Sequence, residues 1–119
     1  MPRVDFPLYL VTDRHQTRGR PLVTLIEQAL IAGVRAVQLR EKDLSTRSLL
    51  SLAEDVLRMT QAHKARLLIN DRIDIALAIG ADGVHLRSNS IPVFIARRLL
   101  GPERLIGVSA HSVEEVLRA

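Results

Sequence analysis

Residues 66–86 read RLLINDRIDIALAIGADGVHL, from Arg66 to Leu86. Arg66-Leu67-Leu68-Ile69 is a short apolar run. Ile73 to Ile79 then repeats apolar residues at helical spacing until Gly80 stops it, and Gly83-Val84-His85-Leu86 is a second apolar run. Runs this short and this apolar suit strands buried on both faces, as in a parallel sheet. A strand, a helix and a second strand in immediate succession make a unit whose right-handed crossover leaves the two strands parallel.

The same unit recurs outward in both directions. Leu8-Tyr9-Leu10-Val11-Thr12 and Ala36-Val37-Gln38-Leu39 precede it as strands, and Leu105-Ile106-Gly107-Val108-Ser109 follows. Between them, Pro21 to Ala32 carries Leu22, Leu25, Ile26, Ala29 and Leu30 on one helical face, ending at Gly33. Ser45 to Ala62 carries Leu49, Leu52, Ala53, Val56, Leu57 and Met59, with Ser45 as N-cap because its oxygen accepts a backbone N–H of the first turn. A further helix is predicted over Ile91 to Leu100, closed by Gly101-Pro102. A last one starts at Ser112, with Glu115 three residues on as in a capping box.

Strands and helices alternate strictly, which predicts an α/β fold of the (β/α)8 TIM-barrel type. These residues supply its first five strands with their helices, so residues 1–119 are expected to form one partial barrel domain. A full barrel takes about 250 residues, and about 200 is the lower end. With strands 1 and 5 as open edges, association into a homo-oligomer through the open side is expected.

Composition narrows the partners. The 119 residues hold 17 Lys and Arg against 13 Asp and Glu, a net charge of +4 spread along the chain rather than gathered in a basic tail. One Tyr, two Phe and no Trp leave little to stack on bases, so no nucleic-acid partner is expected. No stretch approaches the length of a membrane span. Cysteine is absent, which removes disulfides and thiol chemistry and fits a cytoplasmic protein.

In parallel α/β proteins the chemistry gathers at the C-terminal ends of strands. Unusual polar residues fall at each such end: Thr12-Asp13-Arg14, Gln38-Leu39-Arg40-Glu41-Lys42, Asn70-Asp71-Arg72, Arg87-Ser88-Asn89-Ser90 after His85, and Ser109-Ala110-His111-Ser112. Side chains alternate along a strand, so Gln38, Arg40 and Lys42 are expected to share one face while Leu39 and Glu41 share the other. An amide, a guanidinium and an ammonium pointing one way make an anion site. The competing reading has Arg40 and Lys42 paired with Glu41 and Asp43 at the surface. Asp71 is placed to hold Mg²⁺ against bound phosphates, or else to cap the helix at Ile73. His85 reads as a hydrogen-bonded core residue. His111, between two hydroxyl residues, is a candidate general acid or base.

Gln38 to Asp43, Leu68 to Ala76, Gly80 to Leu86 and Ile106 to Ser112 together resemble thiamine phosphate synthase and its thiazole tautomerase relatives. The resemblance runs from Leu8 to Glu115. It implies a transferase that joins hydroxymethylpyrimidine diphosphate to a thiazole phosphate, with diphosphate leaving. On that pattern Gln38, Arg40, Lys42, Asn70 and Ser109 bind the pyrimidine substrate, and Asp71 binds Mg²⁺. After His85-Leu86 the synthase pattern runs Gly-Gln-acid-Asp. Here the residues are Arg87-Ser88-Asn89-Ser90, so Ser90 stands at the second metal ligand and weakens Mg²⁺. The tautomerase branch similarly lacks the full synthase set and uses a His at the position of His111. The strands that carry the thiazole-phosphate site in the family are not among these residues, so the fragment by itself is expected to be inactive. A non-catalytic half-barrel that binds phosphate ligands is the alternative from another class.

Overall fold

The computed structural model describes residues 9–109. Five strands, β1 (Tyr9–Val11), β2 (Ala36–Leu39), β3 (Arg66–Asn70), β4 (Gly83–Leu86) and β5 (Leu105–Val108), form one sheet in sequence order. Every pairing is parallel, with Val11 beside Gln38, Gln38 beside Leu68, Asn70 beside His85 and His85 beside Gly107. Four helices connect them: α1 (Leu22–Ile31), α2 (Thr46–Ala62), α3 (Ile73–Ile79) and α4 (Val93–Leu100). This is the expected βα alternation. The helix expected after Ser112 lies outside the described residues.

Alternate positions of the central strands face the helices. Val37 and Leu39, Leu67 and Ile69, and Val84 and Leu86 are all essentially solvent-free. They join Ile26 and Leu30 of α1, Leu49, Ala53, Val56 and Leu57 of α2, Ala76 of α3 and Ala96 and Leu100 of α4 in one core. Each large aliphatic side chain so buried contributes about 1.5–3 kcal/mol. The intervening positions, Gln38, Asn70 and His85 among them, turn to the opposite face of the sheet.

Local chemistry sets the element ends. Ser45 Oγ accepts the Ser48 N–H at 3.1 Å and starts α2 as expected. α4 begins at Val93, two residues later than the apolar spacing predicted. Pro92 is its N-cap, and a residue before proline, here Ile91, is pushed out of helical geometry. A short 3-10 helix over Arg14–Gln16, capped by the Asp13 carboxylate accepting the His15 N–H at 3.0 Å, has no periodicity to announce it. At Gly83 a Cβ would come within 2.0 Å of the Leu105 carbonyl oxygen, so only glycine lets β5 lie this close to β4. No helix among the described residues is long and apolar enough to cross a membrane.

Candidate active site at the strand ends

Two amides meet at the ends of β2 and β3. Asn70 Nδ2 donates to Gln38 Oε1 at 2.8 Å, and Gln38 Nε2 donates to the Tyr9 hydroxyl at 2.9 Å. Both amide side chains belong to residues that are nearly inaccessible, so these bonds satisfy groups that would be costly to bury unpaired. Beside them His85 is half-buried, its Nε2 2.7 Å from Ser109 Oγ. A Cβ at Gly107 would stand 2.6 Å from His85 Nδ1, so the glycine makes room for the ring. Burial holds the His85 pKa below its ordinary 6.5, and the nearby Arg40 charge lowers it further. The imidazole is therefore neutral at neutral pH. It joins the polar side of the sheet rather than the apolar core.

The segment after β2 departs from the expected alternation. The strand ends at Leu39, and Glu41 folds inward. Its carboxylate accepts from Thr12 Oγ1 at 2.7 Å and from the Arg14 N–H at 3.0 Å. Arg14 Nη1 also bonds Asp43 at 2.5 Å, and His15 Nε2 lies 2.7 Å from the same carboxylate. These two bonds, Arg14's first, hold the Asp43 carboxyl well below the usual range. The two acids are thus taken by Arg14, His15 and Thr12, not by Arg40 and Lys42. Both cations are exposed, and neither side chain makes a hydrogen bond or ion pair with the described residues. Arg40 and Lys42 line one cleft with Thr12, Asp13 and His15. Lys42 also lines a second with Asn70, Asp71 and Arg87.

Asp71 sits at the centre of a tight turn with φ 63°, the Arg72 N–H donating to the Asn70 carbonyl at 2.7 Å. A left-handed non-glycine residue there costs of order 1–3 kcal/mol, and such strain collects at functional sites. Asp71 does not cap α3, whose N-cap is Arg72 with no side-chain bond. Its Oδ1 accepts a short hydrogen bond from Ser90 Oγ, and its Oδ2 accepts from Arg87 Nη2 at 2.7 Å. The Ser90 bond, then Arg87, lowers the carboxyl pKa. Ser90 Oγ also accepts the Arg87 N–H at 2.9 Å, which closes the turn.

Asp71 and Ser90 are therefore adjacent, but the donor set does not suit a resident magnesium ion. The pair offers one carboxylate, with both oxygens engaged, and Glu41, which lines the same cleft, is taken by Thr12 and Arg14. The nearest cation is a guanidinium, and no group of three or more His, Asp or Glu residues able to hold a metal occurs among the described residues. His111 lies outside the described residues. Arg87 and the His85–Ser109 contact are the additions that sequence reasoning did not supply. Arg87 had a signal, since it stands where the family pattern has glycine.

A family model described as thiamine monophosphate synthase matches residues 8–119. A relative from Geobacter sulfurreducens is 62% identical over 111 residues, covering 93% of this chain and 52% of its own length. A thiamine-phosphate synthase from Clostridium acetobutylicum is 52% identical over 119 residues, covering 100% of this chain and 56% of its own. Among solved structures, a thiamine phosphate pyrophosphorylase from Pyrococcus furiosus superposes with a TM-score of 0.82 at 36% identity, covering 92% of this chain and 52% of that one. The chain thus spans about half the length of the curated relatives it matches.

Proposed function

Because the chain belongs to the thiamine monophosphate synthase family, we propose that it supplies the diphosphate-holding part of a synthase site. The reaction joins hydroxymethylpyrimidine diphosphate to a thiazole phosphate, and the diphosphate leaves with the bonding electron pair by way of a pyrimidine cation. Gln38, Asn70 and Ser109 bind the pyrimidine substrate, while Arg40 and Lys42 grip its diphosphate. The observation that carries this reading is the pair of uncommitted cations beside an already satisfied amide row at the C-terminal strand ends. Fixed donors aimed at oxygens that gain charge as the bond breaks stabilise the transition state more than the ground state. A magnesium ion arriving with diphosphate meets one carboxylate paired to Arg87 and one neutral hydroxyl at Ser90. Such a donor set would hold the ion only weakly. As a biosynthetic enzyme of small phosphorylated substrates, the protein is placed in the cytoplasm.

Ser90 in place of an acid favours one other reading, a thiazole tautomerase-type isomerase with His111 moving the proton. The test of the synthase reading is calorimetric binding of inorganic diphosphate. Arg40→Ala is expected to weaken it by about 1.5–3 kcal/mol, the scale of a lost charged hydrogen bond, in a protein that stays folded. Unchanged affinity in the folded variant would leave Arg40 outside the clamp.

A further inference from the structure

We infer that Arg87 takes the place of a metal ion in this protein, so that its diphosphate site works without a divalent cation. The inference rests on the synthase reading above and concerns what neutralises the anion there. Three observations carry it. Arg87 Nη2 bonds Asp71 Oδ2 at 2.7 Å, so a fixed positive charge already occupies the carboxylate that a metal would need. Ser90 bonds both Asp71 Oδ1 and the Arg87 backbone N–H, which ties the serine and the arginine into one unit. Arg87 Nε is buried and has no hydrogen-bond partner among the described residues.

The third observation points to a ligand. A buried donor left unpaired is costly, whereas an anion that accepts from it removes the penalty. A guanidinium presents its N–H groups in a planar fork, so bonding Asp71 through Nη2 leaves others for phosphoryl oxygens. Arg87 also lies where such an anion would be met. It lines the cleft shared by Lys42, Asn70 and Arg72.

Two of the four departures from the family pattern, at positions 87 and 90, are coherent on this account. Glycine to arginine at position 87 brings in a cation, and acid to serine at position 90 removes a charge that this cation would not need. A divalent ion on the same carboxylate would also face the guanidinium at close range, where like charges repel. Asp71 then acts as a positioning residue. It orients the guanidinium through its 2.7 Å bond to Nη2.

The experiment titrates inorganic diphosphate into the full-length protein in the presence of Mg²⁺ and in the presence of EDTA. The wild type is expected to bind equally well in both. Arg87→Ala is expected to lose about tenfold or more in affinity, as for a lost charge-assisted hydrogen bond. R87G combined with S90D, checked for folding by circular dichroism, is expected to bind diphosphate only with Mg²⁺. Wild-type binding that collapses in EDTA overturns this inference alone. No diphosphate binding under either condition overturns the synthase reading, and this inference with it. The wild-type comparison needs no variant, so a misfolded mutant does not spoil the test.

Discussion

Asn70 Nδ2 donates a 2.8 Å hydrogen bond to Gln38 Oε1 across the β2–β3 pair, in a setting where neither residue is more than 8% exposed. Gln38 passes the connection to Tyr9 on β1. Three strands are thus joined by side chains at the end where the candidate site lies.

Asn70→Ala should be costly because it leaves Gln38 Oε1 buried without a donor. The expected destabilisation is about 1–3 kcal/mol, the cost of an unsatisfied buried polar group. It should appear as a lower denaturant midpoint with an unchanged slope. With Gln38→Ala, a double-mutant cycle should return a coupling of about 0.5–3 kcal/mol, as for residues in one hydrogen-bonded network. Additive effects would mean that the two amides are not energetically joined.

His85 should titrate below its ordinary 6.5, because burial and then the Arg40 charge both disfavour the imidazolium. Between that lowered value and 6.5 the unfolded chain binds a proton that the native one does not, so stability falls as the pH drops through this window. The ring signals in an NMR titration report the midpoint directly. Arg40→Ala should raise it part of the way, since burial is the larger cause. A wild-type midpoint at or above 6.5 would remove the buried, neutral imidazole from the site.

Much of this was readable in the residues, and the exceptions have physical reasons. The apolar runs place β2 and β4 to the residue, because their helix-facing positions, Val37, Leu39, Val84 and Leu86, are all apolar and solvent-free. Ser45 is identified as a cap because a serine oxygen before a helical run has one geometry that helps. The path of the chain after β2, from Arg40 to Lys42, was not legible. Alternation assumes an extended chain, and the pull of Thr12 and Arg14 on Glu41 is a contact across 27 to 29 positions. The His85–Ser109 contact likewise depends on the register of β4 against β5, which periodicity does not specify. Arg87 was visible only as an oddity of spelling until its guanidinium was seen on Asp71.

A polypeptide of these 119 residues alone should associate. Among the described residues β1 and β5 each pair with a single neighbour. Val11 on β1 is 45% exposed, and Phe94 near β5 is 65% exposed. Bare edges and apolar surface drive pairing between copies. Light scattering should give the mass of a dimer or larger, and Val11→Lys should reduce it by placing a charge at the edge. A stable monomer at micromolar concentration would contradict the open-edge account.

The proposed synthase function requires thiamine phosphate to form through an anion clamp at the strand ends. The most direct measurement incubates the full-length protein with hydroxymethylpyrimidine diphosphate and the thiazole phosphate, and follows thiamine phosphate and released diphosphate together. The account predicts equal amounts of both products, and a rate that falls about tenfold or more in Arg40→Ala, as expected when a transition-state contact worth about 1.5–3 kcal/mol is lost. Binding of diphosphate with no product formed, or isomerisation of the thiazole with no diphosphate released, would contradict it.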